Sequence, residues 1–194
     1  MALSVLSAAS EAVPLVKTGG LADVAGALPA AVAAHGVEMT TLLPGYPAVI
    51  KAMGRKRAIH EWDALLGQKA RLLSGRIGTH ELLVLDCPAF FARDGGPYSD
   101  GKGQDWADNW HRFAAFGRAA ADIVSGKVKG CRFDLVHAHD WQAAMAIAYL
   151  KLASDAPEIP SVMTIHNMAF QGYYDAAIFP RLGLPQSAWS VDGG

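Results

Sequence analysis

The opening stretch of the chain reads as a strand, a glycine-rich loop, a helix and a second strand, and this order limits the possible folds most strongly. Residues 2–9 form a short apolar run, and the loop that follows ends in Gly19-Gly20. Residues 21–35 carry leucine and valine at helical spacing, and residues 37–43 are apolar again. Two parallel strands joined by a helix form a βαβ unit, so we predict that the chain begins with one.

The rest of the chain continues the same alternation. Apolar runs predict further strands at 69–74, 80–85, 133–138 and 161–165, and helical spacing predicts helices at 105–125 and 141–152. Strands that alternate with helices predict an α/β fold with a Rossmann-like, doubly wound and mostly parallel sheet. The glycine-rich segment 93–103 and the segment 154–160 are predicted loops. Pro29, inside the first helical stretch, predicts a kink or an early end there.

Composition excludes several classes of protein. A hydrophobic fraction of 52% excludes a disordered chain. The 17 basic residues against 18 acidic ones give a net charge of -1, which argues against a nucleic-acid partner. No apolar run approaches the ~20 residues of a membrane helix, and the apolar start lacks the charges of a signal peptide. With only Cys87 and Cys131, we expect a reduced, cytoplasmic protein without a membrane partner.

Polar residues follow three of the predicted strands, where an open parallel sheet binds its ligands. After the first strand come Glu11 and Lys17, and after residues 133–138 come His139, Asp140 and Trp141. After residues 161–165 come His166 and Asn167. We therefore predict a functional site at this edge of the sheet.

The loop before the first helix has features suited to a phosphate group. Glycines at 19 and 20 let the backbone approach a ligand closely, and a helix start offers free N–H groups and a positive dipole end. Lys17 adds a compact positive charge. The segment matches neither GxxxxGK[ST] nor GxGxxG. An ordinary strand-to-helix turn with a solvated lysine therefore remains the alternative.

The segment His137-Ala-His139-Asp140-Trp141 allows more than one interpretation. Alternation along a strand places both histidines on one side, and with Asp140 and His166 they could form a metal site. A hydrogen-bonded core histidine is the alternative for His137. Asp140 beside Trp141 suits a hydroxyl-rich ligand, since carboxylates accept hydrogen bonds from sugar hydroxyls and aromatic rings pack on sugar rings. Asp140 could equally cap the following helix.

Together these segments carry a resemblance to a known family. They are Ser10-Glu11, PLVKTGGLADV at 14–24, Leu28-Pro29, Leu43-Pro44, GPY at 96–98, DLVHAHDW at 134–141 and TIHNMAFQG at 164–172. Their order along the whole chain resembles the amino-terminal catalytic domain of bacterial glycogen synthases and plant starch synthases. KTGGLADV and HAHDW are the most specific of them in combination.

The resemblance implies a retaining glycosyltransferase of the GT-B type, built from two Rossmann-like domains. Such enzymes transfer glucose from ADP-glucose to the nonreducing end of an α-1,4-glucan, either glycogen or a maltooligosaccharide, with no metal or cofactor. By the matching positions, the donor-binding residues are Lys17, Gly19, Gly20, Asp23, His166 and Asn167. The acceptor-binding residues are Glu11, Tyr98, Asp140 and Trp141, and the catalytic residues are His166 and Asp140.

The length of the chain departs from the family, whose members are more than twice as long. We therefore expect residues 1–194 to be the first, possibly incomplete, of the two domains, with the second domain absent. The parent protein is expected to be an enzyme and the fragment alone to be inactive. The alternative is a noncatalytic module that binds glucan or a nucleotide sugar.

Overall fold

A seven-stranded sheet organises the chain in the computed structural model, which describes residues 2–152 and 158–190. The strands are β1 (Leu3–Ala8), β2 (Val37–Pro44), β3 (Arg57–Leu65), β4 (Gln68–Ile77), β5 (His80–Asp86), β6 (Leu135–His139) and β7 (Ser161–Thr164). The helices are α1 (Gly20–Ala33), α2 (Pro47–Ala52), α3 (Pro88–Phe91), α4 (Asn109–Val124) and α5 (Asp140–Leu152). Two short 3₁₀ turns follow, at Ala176–Arg181 and Gln186–Ala188. None of the described helices has the length and apolar character needed to cross a lipid bilayer.

The strand order across the sheet is β3-β4-β5-β2-β1-β6-β7. The five strands from β5 to β7 in this order run parallel, while β3 and β4 pair antiparallel at one edge. The two antiparallel pairs follow from the short β3–β4 and β4–β5 connections, because a tight turn can join only antiparallel neighbours. The predicted mostly parallel α/β sheet is confirmed.

The core lies between the sheet and its helices. The inner part of β1 is buried on both faces, as a central parallel strand requires. Helix α4 is buried along almost its whole length, since it packs both on the sheet and against α5. The two helices meet closely at Gly117, where a Cβ would lie 2.7 Å from the backbone nitrogen of Ala146. The aromatic side chains of α4 at positions 110, 113 and 116 are core residues.

Several predicted boundaries differ from the structure. Helix α1 continues through Pro29 to Ala33, because burial of the proline ring offsets the backbone hydrogen bond that it removes. Helix α4 begins four residues later than predicted, since a β-bridge between Ser99 and Asp105 holds the preceding segment extended. Strand β3 was not predicted from the sequence. The predicted loop at 154–160 lies mostly outside the described residues.

Candidate active site at the carboxyl edge of the sheet

The segments that the sequence places after three strands are neighbours in the structure. Strands β1 and β6 pair in parallel up to Ala8 and Ala138, and β6 and β7 pair up to His139 and Thr164. Their carboxyl ends therefore open onto one edge of the sheet. Two clusters of polar side chains form there, one around Glu11 and one around His139.

The carboxylate of Glu11 holds the glycine loop in place. Glu11 is only 2% exposed, and its oxygens accept hydrogen bonds from the Thr18 hydroxyl at 2.6 Å, the Thr18 backbone N–H and the Tyr98 hydroxyl. Burial, with Tyr46 and Glu11 nearby, raises the pKa of Tyr98 well above its ordinary value, so its hydroxyl remains a donor. Glu11 thus ties the loop before α1 to the loop at 93–103. Sequence reasoning missed Thr18, whose only signal is its position between Lys17 and the glycines.

The start of α1 is open, as the sequence predicts. No side chain caps the helix at Gly19, and a Cβ on either glycine would meet no atom within 4 Å among the described residues. Lys17 lies beside this opening, with its Nζ 2.7 and 2.8 Å from the two carboxylate oxygens of Asp23. Both side chains are about half exposed, at 54% and 55%. An exposed pair of this kind contributes at most about 1 kcal/mol, so only a small free energy holds the Lys17 ammonium to Asp23.

The second cluster is a row of hydrogen bonds through two histidines. The Ser7 hydroxyl lies 3.1 Å from His139 Nε2, and His139 Nδ1 lies 2.9 Å from His166 Nε2. His137 lies on the same side of β6, as alternation predicts, with its ring centroid 4.1 Å from that of His139. Its Nε2 is 2.7 Å from the Thr164 hydroxyl. His137 is thus a half-buried, hydrogen-bonded histidine, which matches the core interpretation.

These contacts give no support to the metal-site hypothesis. The ring nitrogens of His139 and His166 face each other, and His137 faces a hydroxyl, so the three rings do not converge on a common point. Within residues 2–152 and 158–190, no group of three or more His, Cys, Asp or Glu side chains is arranged to hold a metal ion.

Asp140 fixes the position of His166 through the backbone. Its Oδ1 accepts a hydrogen bond from the His166 N–H at 2.6 Å. Asp140 has a φ of 55°, in the left-handed region that aspartate tolerates better than most residues. It is the first residue of α5, yet the bond that its carboxylate makes is to the loop after β7. The one hydrogen bond that the described residues show for this carboxylate thus joins it to that loop and not to the first turn of α5.

Trp141 and Asn167 are the remaining predicted site residues at the carboxyl edge of the sheet. The Trp141 ring packs edge-on against Phe113, with centroids 5.2 Å apart, and tilts against Tyr174 at 5.7 Å. A Cβ at Gly172 would lie 2.7 Å from this ring, so only glycine allows the close approach. Trp141 also lines an aromatic cavity of about 330 Å³. Asn167 is exposed, and its Oδ1 accepts from the Ala169 N–H at 2.9 Å.

The buried position of His139 predicts a pH dependence of stability. Burial, reinforced by His137 and His166, lowers its pKa from 6.5 to about 3. Between these values the unfolded chain binds a proton that the folded chain does not, so the free energy of unfolding falls as the pH falls. We expect this residue to contribute a slope of up to about 1.4 kcal/mol per pH unit.

Denaturant unfolding of the chain between pH 7 and pH 4 measures this slope, and the His139→Gln variant should show a shallower one. His137, whose pKa is also lowered by burial and by His166, keeps part of the slope in the variant. Identical slopes in the two proteins would contradict the assignment. His35, exposed just after α1, serves as the matched control in His35→Gln.

The sheet and its polar edge limit the class of protein. A Rossmann-like sheet of mostly parallel strands, with its polar loops gathered at the carboxyl edge, is the architecture of nucleotide-binding α/β domains, among which are the domains of GT-B glycosyltransferases. The family model of the starch synthase catalytic domain matches residues 4–194. The chain belongs to this family.

Relatives in sequence and in structure agree with this assignment. The chain is 71% identical over 195 residues to the glycogen synthase of Novosphingobium aromaticivorans, covering 100% of the chain and 40% of that protein. It is 50% identical over 191 residues to the glycogen synthase of Mesorhizobium japonicum, covering 98% and 40%. The catalytic domain of starch synthase IV from Arabidopsis thaliana, bound to ADP and acarbose, superposes with a TM-score of 0.78 at 28% identity, covering 95% and 38%. The chain thus spans about 40% of the curated relatives' length.

Proposed function

We propose that the chain is part of a glycogen synthase that transfers glucose from ADP-glucose to the nonreducing end of an α-1,4-glucan, with retention of configuration. The observation that carries the proposal is the open start of α1 with Lys17 beside it, on the same sheet edge as His166. The 71% identity to a glycogen synthase over the whole chain supports it. We further propose a cytoplasmic location, in agreement with two cysteines that are free thiols.

On the donor side, we assign Lys17, Gly19, Gly20 and Asp23 to the phosphates and glucose of ADP-glucose. The free N–H groups at the start of α1 and the Lys17 ammonium suit the charge that develops on the leaving diphosphate. His166 and Asn167 are assigned to the glucose, near the reacting carbon. Preorganised donors of this kind stabilise a departing anion without a metal ion.

On the acceptor side, we assign Glu11, Tyr98, Asp140 and Trp141 to binding of the glucan. Glu11 bonds the Tyr98 hydroxyl, and Asp140 precedes Trp141 and fixes the backbone of His166. Asp140 is also assigned with His166 to the catalytic centre. A glucan that enters past Trp141 would then reach the glucose held at His166.

We also propose that residues 1–194 form the first of two Rossmann-like domains. Relatives of this chain are about two and a half times as long, since it spans 40% of each. The further contacts to the nucleotide and its leaving group would then come from outside this chain.

The test measures transfer of label from ADP-[14C]glucose to glycogen by the full-length protein and by the 194-residue chain. The full-length protein should incorporate label, and the 194-residue chain should incorporate none; an active 194-residue chain or an inactive full-length protein would overturn the proposal.

A noncatalytic glucan-binding role is the second candidate for the chain by itself. The aromatic cavity beside Trp141 favours it, because sugar rings pack on aromatic faces. The lining side chains include Trp110, Phe113, Trp141, Tyr174 and Trp189.

Replacing Trp141 by alanine should weaken binding of maltooligosaccharide to the chain. Loss of one stacked sugar ring is expected to cost on the order of 1–2 kcal/mol, a 5- to 30-fold rise in Kd. Isothermal titration calorimetry with maltoheptaose measures the change. Trp62→Ala is the matched control, since Trp62 is half-buried on β3, away from the cavity, and bonds to Asp122. Equal affinity in the wild type and Trp141→Ala would exclude the cavity from glucan binding.

A further inference from the structure

Burial determines which atom donates in each of the two hydrogen bonds that join Ser7, His139 and His166. Ser7 lies on β1, His139 ends β6, and His166 follows β7, so three neighbouring strands contribute one residue each. Ser7 and His139 are both 0% exposed. Bulk water therefore does not reach a donor or an acceptor that the row leaves unpaired.

His139 carries a single ring proton at neutral pH. Burial and the neighbouring histidines lower its pKa to about 3. In a neutral imidazole one nitrogen donates and the other accepts. Because each nitrogen of His139 has one partner, Ser7 on Nε2 and His166 on Nδ1, only two arrangements of the row are possible.

The hydroxyl of Ser7 decides between these two arrangements. Its only hydrogen-bond partner among the described residues is His139 Nε2. If Nε2 carried the proton, the hydroxyl proton of Ser7 would be a buried donor without an acceptor, which folded proteins avoid. Ser7 must therefore donate to Nε2, and the single proton of His139 then resides on Nδ1.

The tautomer of His139 determines that of His166. The Nδ1–H of His139 donates to Nε2 of His166, so Nε2 must be unprotonated and neutral His166 carries its proton on Nδ1. The two rings are nearly parallel, at 19° and 5.2 Å between centroids, and Asp140 holds the His166 backbone. Nδ1 of His166 has no hydrogen-bond partner within residues 2–152 and 158–190, and the residue is only partly buried.

We propose that Ser7 and His139 are positioning residues that lock His166 as the Nδ1–H tautomer, so that it offers a hydrogen-bond donor to an oxygen of the sugar substrate. The catalytic part of this inference rests on the proposed function, whereas the tautomer rests on the row alone. In water, neutral histidine favours a proton on Nε2, so the lock imposes the less common form. No charge is needed on His166 for it to donate.

The direct test is the protonation state of the ring nitrogens. Long-range ¹H–¹⁵N correlation spectra of the full-length protein, labelled in histidine and recorded at pH 8, separate protonated from unprotonated nitrogens. His166→Ala assigns the signal. We expect a protonated Nδ1 and an unprotonated Nε2 in the wild type. In Ser7→Ala either tautomer of His139 leaves Nε2 unpaired, so we expect both protonation states of His166 to be populated. A wild-type His166 protonated on Nε2 would overturn the proposal, whether or not the variants fold.

Two substitutions at His139 distinguish a role in positioning His166 from a role in stabilising the fold. An asparagine amide can reach the place of Nδ1 and donate to His166, whereas a glutamine amide reaches toward Ser7 instead. We expect His139→Asn to keep most of the activity. His139→Gln should lower kcat about tenfold, the effect of one lost transition-state hydrogen bond, with KM for glycogen unchanged. Ser7→Ala should lower kcat by less, because part of the population keeps the Nδ1–H form of His166. Equal loss in the Asn and Gln variants would show that His139 only supports the fold.

Ser4→Ala is the matched control for Ser7→Ala. Ser4 lies on the same strand, and its hydroxyl donates to the Arg132 carbonyl at 3.2 Å, away from the histidines. It should leave both the spectrum and kcat unchanged. If the full-length protein transfers no glucose at all, the proposed function fails, but the spectra still decide the tautomer of His166.

Discussion

Replacing Lys17 by alanine in the full-length protein is expected to lower the rate of glucosyl transfer roughly 30- to 1,000-fold. The ammonium lies at the open start of α1, where the leaving diphosphate is proposed to bind. Loss of one preorganised charge of this kind removes about 2–4 kcal/mol of transition-state stabilisation. Initial rates with ADP-glucose and glycogen measure the effect, which should fall mainly on kcat.

The fold should not change in this variant. The ion pair of Lys17 with Asp23 is exposed, so its loss should alter the free energy of unfolding by less than about 1 kcal/mol. Arg76→Ala is the matched control, since it breaks a comparable exposed pair, Arg76–Glu81 at 2.9 Å, on the β4–β5 hairpin. A wild-type rate in Lys17→Ala would remove this residue from the donor site.

Replacing His166 by alanine should lower transfer by about 10²–10³-fold, the range for removal of one transition-state donor. The side chain is assigned to the glucose near the reacting carbon, and the backbone bond to Asp140 remains in the variant. The loop should therefore keep its position while the ring is lost. Steady-state rates and a thermal melt of the same sample separate these two effects.

His35→Ala provides the comparison for His166→Ala. His35 is exposed just after α1, so its removal should change neither rate nor melting temperature. If His166→Ala transferred glucose as fast as His35→Ala, the assignment of His166 to the donor glucose would be wrong. Some drop in the melting temperature of His166→Ala is expected, because the variant leaves the buried Nδ1–H of His139 without its acceptor. A lower melting temperature combined with a wild-type rate at a temperature where the variant is folded would indicate a structural role instead.

The central part of the fold was predictable from sequence because central parallel strands are buried on both faces. Apolar runs therefore marked β1, β2, β5 and β6 within one or two residues. Strand β3 was missed, since it lies at the sheet edge and its side chains are largely exposed. The early helix end that Pro29 predicts was also wrong, since α1 continues to Ala33 with the proline buried.

For the site, sequence order indicated which loops meet but not which atoms bond. Lys17 and His166 were identified because they follow strands at the ligand-binding edge. The partners Thr18 and Ser7 were not, since each acts through a contact that depends on side-chain direction. Asp140 shows the same limit: its position suggested a helix cap or a sugar-binding carboxylate, but not the bond that it makes to the backbone N–H of His166.

The hydrogen bonds that Glu11 makes to Thr18 and Tyr98 have a consequence for the entropy of ligand binding. Fixing the backbone of one residue costs about 1–2 kcal/mol of conformational entropy. Because Glu11 already holds the loop next to Gly19, that cost falls on folding and not on association. A ligand at this edge thus meets a preorganised loop, and more of its contact energy appears as affinity.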